Sequence, residues 1–91
     1  MGPETRRSVA DRLAERTTES TDLDGAAALA EANRAVAAAE SLARDYQAGR
    51  RSQQASVAEL RRQYPWLDNV GIDGGDLAAQ LAAFGYYLVI M

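Results

Sequence analysis

Apolar positions recur along this chain at helical spacing. Val9, Leu13 and Thr17 fall four residues apart, with Ala10 and Ala14 beside them. Arg6, Arg7, Asp11, Arg12, Glu15 and Arg16 occupy the intervening positions. One narrow apolar stripe flanked by charge predicts a short amphipathic helix over residues 5–19. Ser8 with Asp11 offers a weak capping box near its start. Thr17, Thr18, Ser20, Thr21, Asp22 and Asp24 then crowd together. Such side chains bond to nearby backbone and favour turns and caps, so a loop is expected, with Asp22 or Asp24 as the next N-cap.

Residues 25–64 carry the strongest pattern. With Leu29 at heptad position a, the a positions are Leu29, Val36, Ala43, Arg50, Val57 and Tyr64, and the d positions are Ala32, Ala39, Tyr46, Gln53 and Leu60. All but Arg50 and Gln53 are apolar or aromatic, which predicts a long, alanine-rich, coiled-coil-like helix. The flanking positions carry few charges, so a charge-zipped parallel dimer is not indicated. Residues 48–56 admit two readings. Either Gly49 caps one helix and Ser56 with Glu59 opens another, giving a helical hairpin, or the helix runs through. The unbroken heptad phase favours the continuous form, which would be roughly 60 Å long at ~1.5 Å per residue.

Pro65 disfavours helix at Tyr64. Trp66, Leu67, Val70 and Ile72 are too apolar for a free linker, so residues 65–75 are expected to form a packed loop with Trp66 tucked against the helices. Residues 76–91 form an apolar C-terminal segment capped by Asp76. Leu77, Leu81, Phe84 and Leu88 keep helical spacing, but the last residues also suit a strand. From Phe84 onward the segment is apolar on every side, which implies burial all round or a partner. The expected class is all-α, a single small helical domain over residues 1–91.

Composition narrows the chemistry. The chain has 91 residues, a net charge of −3, no cysteine and no histidine, and every cation is arginine. Disulfides, thiolate metal sites, Schiff-base lysines and the usual general base near neutral pH are thereby excluded. Ser8, Ser41, Ser52 and Ser56 have no histidine to activate them, and no nucleotide-binding or hydrolase motif occurs. No catalytic, cofactor or metal site is expected. Asp68, Asn69, Asp73 and Asp76 among glycines suggest calcium by residue type, but their spacing is not that of an EF-hand and suits a turn followed by a helix cap. The pairs Arg6–Arg7, Arg50–Arg51 and Arg61–Arg62 suggest phosphate clamps by residue type, yet the acidic balance and the absence of a groove-reading motif favour solvated helix faces with nearby acids instead.

Much of the apolar content is alanine, so the core within one chain should be thin. The principal expectation is therefore a non-catalytic structural or interaction protein: a small helical subunit of a larger assembly such as a virion, scaffold or adaptor complex. A protein partner or a homo-oligomer would meet Phe84, Tyr87, Leu88 and Ile90 in the tail and Leu29, Val36, Tyr46, Val57 and Leu60 in the seam. No transmembrane span is expected, since residues 77–91 reach roughly 22 Å against a ~30 Å hydrocarbon layer. Nor does a secretory signal open the chain, which points to the cytoplasm or the inside of a particle. Residues 85–91 (GYYLVIM) resemble the short apolar tails of borosin-type precursors. That resemblance, over less than a tenth of the chain, implies a helical leader ahead of a backbone-N-methylated core. A small DNA-associated helical factor is a third expectation.

Overall fold

The computed structural model describes residues 3–91 and is helical throughout, without strands among the described residues. Four helices follow in order: α1, Pro3–Ser20; α2, Gly25–Gln47; α3, Gln53–Gln63; and α4, Leu77–Ile90. Two short 3₁₀ turns, Pro65–Leu67 and Ile72–Gly74, lie between α3 and α4. The molecule measures 36 × 27 × 24 Å. That is about the length of α2 alone, so the 60 Å rod expected of a continuous second helix does not form.

The break falls at Gly49. The backbone there has φ +78°, the left-handed conformation that glycine adopts without a Cβ penalty. Arg50 N–H then reaches back to the Asp45 carbonyl at 2.8 Å, which closes off the end of α2. The next helix opens at Ser52, whose Oγ accepts from Ala55 N–H at 3.1 Å. Ser56, expected to be that cap, lies inside α3, is buried, and donates its hydroxyl to the Ser52 carbonyl. Heptad phase thus continues across a real turn. The phase expressed two helices that share a core, not one helix.

The register of the seam also shifts. α2 buries Ala28, Ala32, Ala35, Val36, Ala39, Leu42 and Ala43, while Leu29 and Tyr46, placed in the expected seam, are exposed. α2 packs against α1, α3 and α4 at once. A helix with three neighbours buries a wider face than a two-stranded seam requires, so flanking positions such as Ala35 and Leu42 join the core.

α1 starts at Pro3, where the fixed φ of proline suits a first turn. Ser8 and Asp11 therefore lie within the helix and form no capping box. α1 runs antiparallel to α2, with Arg6 near its start paired to Glu40 near the far end of α2. Buried Thr17 satisfies its hydroxyl on the Leu13 carbonyl at 2.8 Å. Asp24 is the residue before α2 and has extended backbone, but its side chain makes no capping bond.

After α3, Pro65 opens a 3₁₀ turn that buries Trp66 and Leu67. Trp66 Nε1–H donates to Glu31 Oε2 at 3.2 Å, tying the turn to α2. Val70 is exposed, against the expectation that it packs; the side chain of Ile72 lies outside the described part of the structure. Asp76 caps α4 by accepting from Ala78 N–H at 3.0 Å. Leu77 N–H bonds the Asn69 carbonyl, and Asn69 in turn lies beside Ser20 at the end of α1. The C-terminal half of α4 reaches Ala39 and Tyr46. α4 is therefore parallel to α2, and it is helix rather than strand up to Ile90.

Alanine on α2 and small residues on α4 set how closely these two helices approach. Gly85 lies so near α2 that an added Cβ would sit 2.6 Å from the Ala39 carbonyl carbon and oxygen. Ala78 and Ala82 are buried on the same face. The larger core side chains are Leu13, Val36, Leu42, Leu60, Trp66, Leu67, Leu77 and Leu81. Burying each is worth roughly 1.5–3 kcal/mol, against far less for each alanine.

Candidate interaction surface

α4 presents a different problem on each of its sides. Residues 77–91 contain no charged side chain. Ala78, Ala82 and Gly85 face α2 and are buried. Tyr86 turns to Tyr46 of α2, the rings meeting edge to face at 5.4 Å and 70°. Leu77, Leu81 and Phe84 look toward α1, and Tyr87, Ile90 and Met91 point outward with 40%, 51% and 65% of their surface exposed. A helix without charges is thus covered on only part of its circumference.

Between α1 and α4 lies an open groove of about 450 Å³. Both helices rest on α2. Val9, Leu13, Leu77, Leu81 and Phe84 make its apolar floor and walls, and Arg12, Glu15, Arg16 and Glu19 form a charged rim along α1. Arg16 pairs with Glu19 at 3.4 Å, whereas Arg12 has no carboxylate partner among the described residues. The rim on the α4 side carries no charge.

The expected contact residues divide. Val36 and Leu60 are fully buried by this chain's own helices and have no surface to offer a partner, which corrects their assignment to a docking seam. Val57, Phe84 and Leu88 are half-buried against the core, and Phe84 lines the groove. Leu29, Tyr46, Tyr87 and Ile90 are exposed. Tyr46, Tyr87, Ile90 and Met91 gather where α2 and α4 end, near the 48–52 turn, while Leu29 stands apart near the start of α2. Sequence reasoning missed the groove. The Val9–Leu13 stripe of α1 and the Leu77–Leu81–Phe84 stripe of α4 are both legible, but nothing local says that they face each other across a gap.

Charge is unevenly distributed. The end holding the α4 tail collects Arg6, Arg7, Arg44, Arg50 and Arg51 against Glu40 and Asp45. The opposite end carries Glu19, Asp22, Asp24, Asp68, Asp73 and Asp76, with Arg16 paired to Glu19 and Arg61 to Asp76. Each arginine pair has a guanidinium held by a carboxylate. Arg6 pairs with Glu40, Arg50 with Asp45 at 2.8 Å, Arg61 with Asp76 and Arg62 with Glu59. The Arg62 and Gln63 hydrogen bonds hold Glu59 down to a pKa of about 2, from 4.5. Tyr64 is pushed up, chiefly by burial and then by the charge of Glu31. In the glycine-rich turn Asp76 is occupied as the α4 cap and the partner of Arg61, and no group of three or more acidic side chains among the described residues converges as a metal site. Among the described residues, no helix is long and apolar enough to cross a membrane.

Comparison with known protein families, with curated proteins and with solved structures finds no match.

Proposed function

We propose that this chain is a non-catalytic interaction protein, a small helical subunit that docks into a larger protein assembly through α4. The observation that carries the reading is the uncharged run 77–91, folded as a helix whose inner faces are packed and whose outer stripe of Tyr87, Ile90 and Met91 is left to solvent. The largest apolar patch on a soluble monomer is often its functional surface. The half-covered groove beside the stripe and the tyrosines at its end extend the same patch. Aromatic and large aliphatic side chains of this kind serve as anchors in interfaces. The chain's chemistry supports the non-catalytic part, for it offers no histidine, cysteine or lysine. A virion component, a scaffold or an adaptor are the settings in which such a subunit would serve.

The test is size fractionation of a native extract containing the tagged chain, compared with the Tyr87→Asp/Ile90→Asp double variant. Both positions are exposed, so the fold should survive the change. The wild type is expected in a high-mass fraction and the variant at the size of the free 9.8 kDa chain. Co-migration of both at the free size would refute the proposal. The precursor reading requires enzymatic access to backbone amides of the tail, and residues 85–90 lie within α4. Methylation would need that helix end to unwind, so intact-mass measurement showing added methyl masses on 85–91 is the result that would favour it.

A further inference from the structure

The chain contains two Asp–Gly pairs, Asp24–Gly25 at the joint between α1 and α2 and Asp73–Gly74 in the turn before α4. We infer that the first is a site of spontaneous backbone isomerisation in the folded protein, closing to a succinimide and reopening to isoaspartate, and that the fold protects the second. The chemistry needs only the chain and water. The Gly25 nitrogen adds to Asp24 Cγ, its proton and the carboxyl hydroxyl leave as water, and a five-membered imide forms. Water then adds to one imide carbonyl. Attack at the side-chain carbonyl restores aspartate. Attack at the main-chain carbonyl breaks the bond from Asp24 C to Gly25 N. The chain then runs on through Cγ, the former main-chain carbonyl becomes a free carboxylate, and the mass is unchanged. Glycine is the favourable partner because its nitrogen is flanked by no Cβ.

Both aspartates are exposed, so backbone geometry decides between them. In an L-residue Cβ stands about 120° from N around the Cα–C bond, so the next nitrogen eclipses Cβ, as ring closure requires, when ψ is near −120°. Asp24 has ψ 172° and must turn by about 70° to reach it, whereas Asp73 has ψ 27° and must turn by about 150°. The surroundings point the same way. The Asp24 carboxylate makes no capping bond and is free to swing toward its own Gly25. Gly25 N–H stands in the first turn of α2, where backbone donors have no partner within the helix. Nothing lies within 4 Å of where a Gly25 Cβ would stand, so no neighbour blocks the ring. Turning Asp24 disturbs only the Ala27 and Ala28 N–H bonds to its carbonyl, at 3.1 and 3.2 Å. Asp73 instead lies in a clasped loop. Gly71 N–H bonds the Gly75 carbonyl at 2.7 Å, and Val70 pairs with Asp76, so a large rotation at residue 73 would open the whole turn. Conversion at residue 24 lengthens the α1–α2 joint by one carbon. It also takes the Asp24 carbonyl out of the main chain, which loosens the first turn of α2.

The experiment ages the folded full chain at neutral pH in water enriched in heavy oxygen, beside the same chain in urea. Each passage through the imide leaves one heavy oxygen in the residue, and peptide mapping with fragmentation assigns label and isoaspartate to residue 24 or 73. The folded chain is expected to react several-fold more at residue 24, and the ratio should fall toward one in urea, where both pairs sample the same backbone states. Asp24→Glu would require a six-membered ring and should take up no label at residue 24. Its fold should hold, because the side chain it replaces makes no capping bond. Asp24→Asn, which expels ammonia in place of water, should convert faster. In the isolated isoaspartate fraction, amide hydrogen exchange at Ala27 and Ala28 should speed up. An unlabelled folded chain overturns the inference, as does reaction at residue 73 equal to or above that at 24. A folded-chain ratio matching the ratio in urea overturns it too, since sequence and not fold would then set the site. Unchanged exchange at Ala27 and Ala28 overturns the loosening of the joint.

Discussion

Replacing Gly85 with alanine inserts one methyl group at the closest approach between α4 and α2. Its carbon would lie 2.6 Å from the carbonyl carbon and oxygen of Ala39 and 2.8 Å from the Ala39 Cβ. Favourable carbon contacts begin near 3.5 Å, so the helices must separate by close to 1 Å. A gap of that size forfeits about a quarter to a half of each dispersion contact along the shared face, where Ala78 and Ala82 pack. Overpacking of this kind typically costs about 1–3 kcal/mol. Alanine's better helix propensity returns about 0.8–1 kcal/mol. Because the nearest obstructing atoms are backbone at 2.6 Å, the upper part of the overpacking cost applies, about 2–3 kcal/mol. The net expectation is therefore destabilisation by roughly 1–2 kcal/mol, and each kcal/mol lowers Tm by about 4–8 °C in a domain of this size. Thermal unfolding followed by far-UV circular dichroism measures it. The obstructing atoms belong largely to backbone, so adding Ala39→Gly should not restore the loss. An unchanged or raised Tm for Gly85→Ala, or full rescue in the double variant, would refute the claim that α2 and α4 are in backbone contact here.

Gly49→Ala should destabilise by about 1–2 kcal/mol, because the left-handed φ of +78° excludes a Cβ for conformational reasons although no atom lies within 4 Å of it. Stabilisation in a thermal melt would mean that α2 continues through residue 49. Glu59 makes stability sensitive to acid. Its folded pKa of about 2 lies below the ordinary 4.5, so its contribution is complete above pH 4.5 and disappears as pH falls through about 2. The Tm gap between wild type and Glu59→Gln should be open at neutral pH and closed near pH 2; a gap independent of pH would show that the Arg62 and Gln63 contacts are not formed.

The helices were legible because each has a local cause. Alanine abundance, the Thr and Asp cluster before Gly25, Pro65 and the Asp76 cap mark all four regions in sequence, and Trp66 is buried as its surroundings suggested. The turn at 48–52 was harder, since Gly49 signals a break while the heptad phase around it argues for continuity. Phase follows from burial on a common core, and α2 and α3 share one, so periodicity cannot tell a bent path from a straight one. The register of α2 was misplaced for a related reason. Alanine occupies ten of the 23 positions of α2 and falls on most of its faces, so the larger Leu29 and Tyr46 outweigh it in any sequence pattern, although both are exposed. The groove was beyond reach because it is defined by a separation between α1 and α4, helices distant in sequence that neither contact strongly nor share a loop.

The placement of Trp66 has an optical consequence. It is the only tryptophan in the chain, buried in the turn after α3, with its ring edge to face with Tyr64 at 6.0 Å and its indole N–H on Glu31 of α2. Its emission therefore senses one event: the seating of the α3–turn–α4 half of the chain upon α1 and α2. While seated, the indole is shielded from water and should emit toward the blue. If the second half lifts away while every helix stays wound, circular dichroism would register little, but the emission would shift to the red. The two signals read together separate loss of packing from loss of helix, so the molecule carries its own reporter for any expanded, helical intermediate.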